Sequence, residues 1–444
     1  MKNILKNLYL TKRFFFAGAG VVIVFVFSFA VPAFFIAAQT LLPAFVIFFM
    51  LDVYLLFNKS VRINCSRAVP RLLSLGDENP VQVTIENKSR IPLSVSLLDE
   101  IPFQFQKRNF SLAFKIKRDE KKTIRYELRP VKRGEYLFGN INVYFSSLIG
   151  LAQRRSQYDE KIAVPVYPSV IQMKQMEMKA FPKISNLPGV KKIRRIGHSY
   201  EFEQIKNYVR GDDFRSINWK ATSRRADLMV NQYEDERAQQ VYSIIDNSRS
   251  MRMPFDDMSL LDYAINTSLV LSNIALRKQD RVGLITFSDK ADVLLKAERN
   301  RSQLRKILES LYRQNEKNRE ANFELLYFSV RDLVKGRSLL FLYTNFESIY
   351  SMERVLPILR KLNKQHLLVV VFFENTEITE YGKQPAATLR GIYFKTIAQK
   401  FAAEKNQIVQ QLRQYGIQTI LTPPKELSIS SVNKYIEMKA RGMI

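Results

Sequence analysis

The chain is poor in the residues that build covalent or metal-held frameworks. Its 444 residues include one cysteine and two histidines. The single thiol, Cys65, excludes an intrachain disulfide and suits a reducing compartment. With His198 and His366 as the only imidazoles, a zinc site is not expected. No glycine-rich phosphate loop occurs; Gly197 and Gly211 stand alone. There is no repeat with a period of about 20–50 residues and no long low-complexity tract. Acidic residues are also in short supply, 42 against 69 basic ones, for a net charge of +27. The basic residues are dispersed through the body rather than gathered on one recognition element. That dispersal favours a membrane surface with anionic lipid over nucleic acid, which is not expected as a partner.

Charge is missing altogether from residues 14–51. A helical span needs about 20 residues, so this run, extended to Phe57, holds two spans at 14–31 and 34–57 within a hairpin of residues 1–59. Pro32 falls at the turn. Pro43 lies inside the second span, where its freed carbonyl needs a partner. Lys2, Lys6, Lys12 and Arg13 precede the spans, and Lys59, Arg62, Arg67 and Arg71 follow them. Positive charge on both flanks places both termini in the cytoplasm, in a multi-pass membrane protein. Asp52, near the inner end of the second span, is expected as an interfacial anchor. A signal peptide cleaved near residues 29–33 is the competitor. Pro32 beside the scissile bond argues against it, and the second span would still stop transfer.

From 60 to 166 the hydrophobic period changes to two, as at residues 81–86, 93–98, 123–128 and 141–145. Turn-forming residues at 76–79, 87–89 and 133–134 separate these runs. The pattern predicts an antiparallel β-sandwich domain with no catalytic constellation. Residues 240–444 instead alternate apolar strands (240–246, 281–287, 338–344, 366–373, 417–421) with helical patterns near 260–276, 301–313, 323–335, 352–363, 389–415 and 425–440. A short strand falls at 293–295. This predicts an α/β domain with a mostly parallel sheet covered on both faces.

The first of those strands ends in Asp246, followed by Ser248 and Ser250. Three hard oxygen side chains at alternate positions can converge on one divalent cation, at the sheet end where open α/β folds bind ligands. The same residues can instead satisfy backbone amides in a turn. The pattern resembles the metal-ion-dependent adhesion site of von Willebrand factor A domains. Just before this strand lies an ordered set: Glu201, Phe202, Tyr208, Gly211, Asp212, Asp213, Arg215, Ile217, Asn218, Trp219, Lys220 and Arg224, then Glu234, Glu236 and Arg237. This set resembles the hallmark of the bacterial family known as domain of unknown function 58.

The residues themselves allow two roles for the signature segment, 167–239. One is a clasp, with Arg210, Arg215 and Arg224 paired to Asp212, Asp213, Glu234 or Glu236 and Trp219 packed on the α/β domain. The other is an interaction surface carried by Asp212, Asp213, Arg215, Trp219 and Glu236, together with Arg249 at the strand end. The resemblance implies a von Willebrand factor A-like doubly wound sheet, the layout of hairpin, β domain, signature and α/β domain, and a MoxR-type AAA+ ATPase as partner. It also locates the two missing ligands of an adhesion site, where Ala321 and Asn345 stand. Asn345 offers a neutral oxygen and Ala321 none, so the site is degenerate for Mg²⁺ or metal-free. A non-enzymatic adaptor or scaffold is therefore expected. The alternatives are a metal-dependent hydrolase using Asp212, Asp213 or Asp246, which lacks a histidine base, and a membrane-surface nucleic-acid binder.

Because only Asp246 brings negative charge to that site, calorimetry is expected to show Mg²⁺ affinity no tighter than about millimolar. Ala321→Thr with Asn345→Asp should tighten it. Micromolar affinity in the unaltered chain would mean that other carboxylates complete the site.

Overall fold

The computed structural model describes residues 6–180, 201–234 and 239–443, apart from 32, 59, 108–109, 210–211, 213, 226 and 386–387. They form a mixed α/β chain divided into two compact units, Met1–Val170 and Ile171–Ile444.

The first unit begins with two apolar helices, Lys12–Ala30 and Ala33–Phe57, each long and apolar enough to cross a membrane. Pro43 lies inside the second without ending it. A three-residue strand that the sequence did not announce, Leu8–Leu10, precedes them and pairs antiparallel with Ala152–Tyr158. It forms the edge of a five-stranded sheet that continues through Ile141–Ser146, Leu93–Asp99 and Ser111–Ile116. A second sheet joins Ile63–Ala68, Asn79–Asn87 and Lys121–Leu128, and a third joins Leu73–Ser74, Ile162–Tyr167 and Gly134–Phe138. The period-two pattern works as expected. Along Asn79–Asn87 every second side chain is buried, and Cys65, Val83 and Ile85 share one apolar cluster with Val95, Leu97, Val143 and Phe145 of the first sheet. Burial pushes the Cys65 thiol up to about 12. An ion pair of Arg67 with Asp99 is fully enclosed beside this core; Tyr126 donates to the same carboxylate, and Arg67 also donates to Gly139 O at 2.9 Å. A buried pair needs such extra hydrogen bonds to offset its desolvation.

Asp52 differs from its expected role as an interfacial anchor. It is fully buried. Its carboxylate accepts from the Ser147 hydroxyl, from Leu151 N at 2.7 Å and from Ala152 N at 2.8 Å. The reason is local. The turn after Ile141–Ser146 exposes backbone donors with no sheet partner, and the helix Ala33–Phe57 delivers a carboxylate to them. Leu56 of the same helix joins the β-sheet core, and Arg154 donates to Leu56 O at 2.9 Å. Thr11 fixes the other helix by donating to Gly150 O at 2.6 Å. Hairpin and sheets of this unit are therefore one packed body.

The second unit is organised by a six-stranded sheet. Its order is Ala291–Glu298, Arg281–Phe287, Gln240–Asp246, Leu339–Tyr343, Leu367–Phe373, Gln418–Thr422. All neighbours are parallel except the edge strand Ala291–Glu298. Strands covered on both faces should read as unbroken apolar runs, and every residue of Leu367–Phe373 is buried. One face packs against Leu260–Arg277 and Leu427–Ala440 through Val241, Phe341 and Val369. The other packs against Phe323–Leu333, Ile349–Gln365 and the distal half of Leu389–Gln414 through Ile244, Leu342 and Val370. Helix Val170–Ala180 lies against the first of these layers, with Glu177 paired to Arg277 at 2.6 Å. Neither this helix nor Thr376–Lys383 stands out in the sequence pattern.

Replacing Asp52 by alanine orphans two buried backbone amides, which costs about 2 kcal/mol or more. Thermal unfolding of the detergent-solubilised protein should show a lower midpoint for Asp52→Ala than for Asp52→Asn. An unchanged midpoint would mean that the latch carries no net stability.

Candidate functional site

The strand Gln240–Asp246 lies between two parallel neighbours, so its carboxyl end opens into loops from several elements. Asp246 is the last residue of that strand and is buried. Its carboxylate accepts from Ser248 N at 2.8 Å, Thr344 Oγ1 at 2.7 Å and Ser250 Oγ at 3.3 Å. Ser248 Oγ and Ser250 Oγ stand 3.0 Å apart. The bond to Ser248 N closes an aspartate turn. Burial raises the Asp246 carboxyl above the ordinary carboxylate range, and its hydrogen bonds only partly oppose it. Thr344 was not recognised from the sequence as a partner; the signal was its place at the end of the adjacent parallel strand.

Asn345 reaches the same place with a different role. Its Nδ2 donates to Ser250 O at 3.3 Å, and its Oδ1 accepts from Lys405 Nζ at 2.7 Å. Lys405 also donates to Phe346 O at 2.5 Å. Ala321 lines the same small cavity, of about 80 Å³, with Asp246, Ser248 and Ser250. The donor set thus offers one carboxylate and hydroxyls, while the amide oxygen expected to help a metal is already taken by an ammonium. This fits Mg²⁺ poorly, since that ion prefers carboxylates and octahedral geometry. Burial depresses the Lys405 ammonium to about 8. Nothing in the local sequence pointed to Lys405, which lies on a helix sixty residues further along the chain.

Arg249 stands at the cavity rim with more than half of its side chain exposed. It is not a free guanidinium, as expected from sequence, but pairs with Glu320 at 3.2 Å, and Arg354 reaches the same carboxylate at 3.6 Å. Two cations thus share one exposed acid, with Glu347 also in the cavity wall, and exposed pairs of this kind contribute little stability.

The signature segment folds as a separate two-stranded hairpin, Glu201–Asn207 with Met229–Glu234, carrying the helix Trp219–Arg225 between them. Asn218 is the joint of this insert. It donates from its backbone to Met229 O at 2.8 Å and from Nδ2 to Asn231 Oδ1 at 2.8 Å, while its Oδ1 accepts from Ala221 N at 3.0 Å. Thr222 Oγ1 accepts from Met229 N at 3.0 Å. Asp212 pairs with Lys206 at 2.8 Å rather than with an arginine, and this hydrogen bond holds its carboxyl below the ordinary range. Arg215 lies in the short turn Phe214–Ser216. Trp219 is 70% exposed instead of packed on the α/β domain. Asp213 and Glu236 lie outside the described residues. Asp246, Ser248, Ser250 and Asn345 are therefore brought together, and Asp212 and Trp219 belong to the separate hairpin.

Lys405 generates a pH test. Its folded value of about 8 lies below its ordinary 10.5. Between these values the unfolded chain holds the extra proton, so stability contributed by this group rises with pH. Wild type should gain stability relative to Lys405→Met as pH increases from about 8 to about 10. Parallel denaturation curves for the two proteins across that window would refute the depressed ammonium.

Comparison with known proteins gives four relations. The family model described as protein of unknown function DUF58 matches residues 204–383. The uncharacterized protein YeaD of Bacillus subtilis is 27% identical over 186 residues, which cover 40% of this chain and 46% of that protein. The chain thus spans about half the length of the curated relative it matches. Among solved structures, the conserved hypothetical protein BatB of Bacteroides thetaiotaomicron shows 14% identity and a TM-score of 0.24, covering 31% of this chain and 68% of that one. The CARDB domain of the PF1109 protein of Pyrococcus furiosus shows 14% identity and a TM-score of 0.18, covering 24% and 90%. Similarities this low carry no structural argument. The match over residues 204–383 covers most of the hairpin insert, the strand ending at Asp246 and the loops around it, and it is to the same DUF58 family that the signature resembles.

Proposed function

We propose that this protein is a non-enzymatic interaction module held at the cytoplasmic face of a bacterial inner membrane, with the carboxyl end of its central parallel sheet as the docking face. The observation that carries this reading is the strand-end cavity. Asp246 forms a closed, hydrogen-bonded base, and Arg249 and Arg354 share one exposed carboxylate at the rim. The base has no free acid or nucleophile poised for chemistry. The two rim guanidiniums are held by exposed ion pairs to Glu320, which are readily exchanged for a partner carboxylate.

Supporting elements come from the rest of the chain. The sheet order, with one antiparallel edge strand and helices on both faces, accords with a von Willebrand factor A-like doubly wound sheet whose adhesion site has lost its metal. The three sheets of the first unit accord with an antiparallel β-sandwich. The two apolar helices accord with a membrane hairpin, and the basic flanks with contact to anionic lipid and cytoplasmic termini. The partner we propose, by family resemblance alone, is a MoxR-type AAA+ ATPase.

The decisive variant alters the rim and spares the buried base. Arg249→Glu with Arg354→Glu reverses the charge that the partner would meet. Loss of charged contacts at a desolvated interface costs about 2–5 kcal/mol. Tagged protein carrying these changes should fail to co-purify the ATPase from its own cells, read by mass spectrometry. Lys121→Glu with Arg125→Glu, on an exposed strand of the first unit, should leave co-purification intact. Recovery of the ATPase by the rim variant at wild-type levels would move the docking face elsewhere.

A further inference from the structure

The hairpin insert contains a second cavity, of about 280 Å³, whose charged lining among the described residues is entirely basic. Lys220, Arg224 and Arg225 line it over a floor of Ile205, Ala221 and Met229. Asn218 is also in the wall, but both ends of its amide are already hydrogen-bonded within the insert. The three cations are different. Asp212, the acid expected to clasp an arginine of this segment, is held by Lys206. Among the described residues Lys220, Arg224 and Arg225 have no carboxylate partner within salt-bridge distance. Three like charges around one hollow repel each other, which an anion bound there would relieve.

The hollow is nevertheless built. The helix Trp219–Arg225 that carries all three is tied to the neighbouring strand through Asn218 and Thr222. Such ties fix the backbone that carries the cations, so a ligand has only their side chains to order. Arginine forks and a lysine point charge together match the oxygens of a phosphoryl group. The floor of Ile205, Ala221 and Met229 supplies apolar surface for the remainder of an ester.

We propose that this cavity is a binding site for a small phosphate monoester, with Arg224, Arg225 and Lys220 as the phosphoryl ligands. The site is distinct from the strand-end face and does not depend on its assignment.

The detergent-solubilised full chain tests this by calorimetry, with the fluorescence of Trp219, the only tryptophan, as a local readout beside Lys220. Inorganic phosphate and dihexanoyl phosphatidic acid should each bind saturably, and sodium chloride at equal ionic strength should not. Stronger binding of the lipid would identify a headgroup as the source, and equal binding a free phosphate or its small esters. Affinity should rise as pH increases through about 6, where a monoester loses its second proton. Arg224→Gln with Arg225→Gln should weaken binding about tenfold or more, the scale of losing charge-assisted hydrogen bonds. Both side chains are exposed, so an unchanged melting midpoint is expected to accompany the loss. A response equal to that of chloride, or wild-type affinity in the double variant, would overturn the proposal. So would tighter binding of an oligonucleotide that strengthens with its length, since that would mark a nucleic-acid surface instead.

Discussion

A carboxylate with no access to water governs the end of the central sheet. Asp246 is buried at the last position of a strand that is hydrogen-bonded on both sides. An enclosed carboxylate must be neutralised, paired with a cation or given several donors. Here three residues supply donors: Ser248, Ser250 and Thr344. Meeting that requirement draws the loop after Asp246 back onto the strand and ties it to the end of Leu339–Tyr343. The positions of Ser250, Asn345 and, through Asn345, Lys405 follow from it. A cation is present nearby, but it is an ammonium bound to the amide and not to the acid. The same constraint that would favour Mg²⁺ in a site with more carboxylates is met here by hydroxyls and one backbone amide.

Much of the second unit was legible because its strands are covered on both faces. Unbroken apolar runs such as Leu367–Phe373 have no other stable environment in a water-soluble body, and the helices between them carry the matching apolar stripes. The edge strand Ala291–Glu298 was only glimpsed, since an edge strand alternates weakly and its antiparallel direction leaves no mark on composition. Thr376–Lys383 was missed because eight residues hold too few turns for a stripe, although Asn375 caps it by accepting from Ile378 N at 3.0 Å. Leu8–Leu10 was hidden by its neighbours: three residues before a long apolar helix read as part of that helix, and only the pairing with Ala152–Tyr158 makes them a strand.

The site was legible in its motif and opaque in its wiring. Asp246, Ser248 and Ser250 follow from spacing along one strand end. Lys405 and Arg354 come from helices distant in sequence, and no local pattern specifies which cation will meet Asn345 or Glu320. Trp219 shows the opposite failure. A lone tryptophan in a charged segment suggests a packed anchor, yet it remains mostly exposed because its short helix is held by Asn218 and Thr222 and does not need the ring.

Acids and bases are used unequally in this chain, and that inequality separates framework from contact surface. The buried carboxylates Asp52, Asp99 and Asp246 are each consumed by structure, the first two within the first unit and the last at the sheet end. With 42 acidic residues against 69 basic ones, enclosing acids in this way leaves fewer to neutralise the surface. The cations left over are not spread at random with respect to shape. Two share one acid at the strand-end rim, and three surround a hollow in the hairpin insert with no acid partner among the described residues. A dispersed excess of charge would serve solubility or general attraction to a membrane. Like charges held around the concave surface of the insert cost self-repulsion that general attraction does not require, and it is relieved when an anion is bound there.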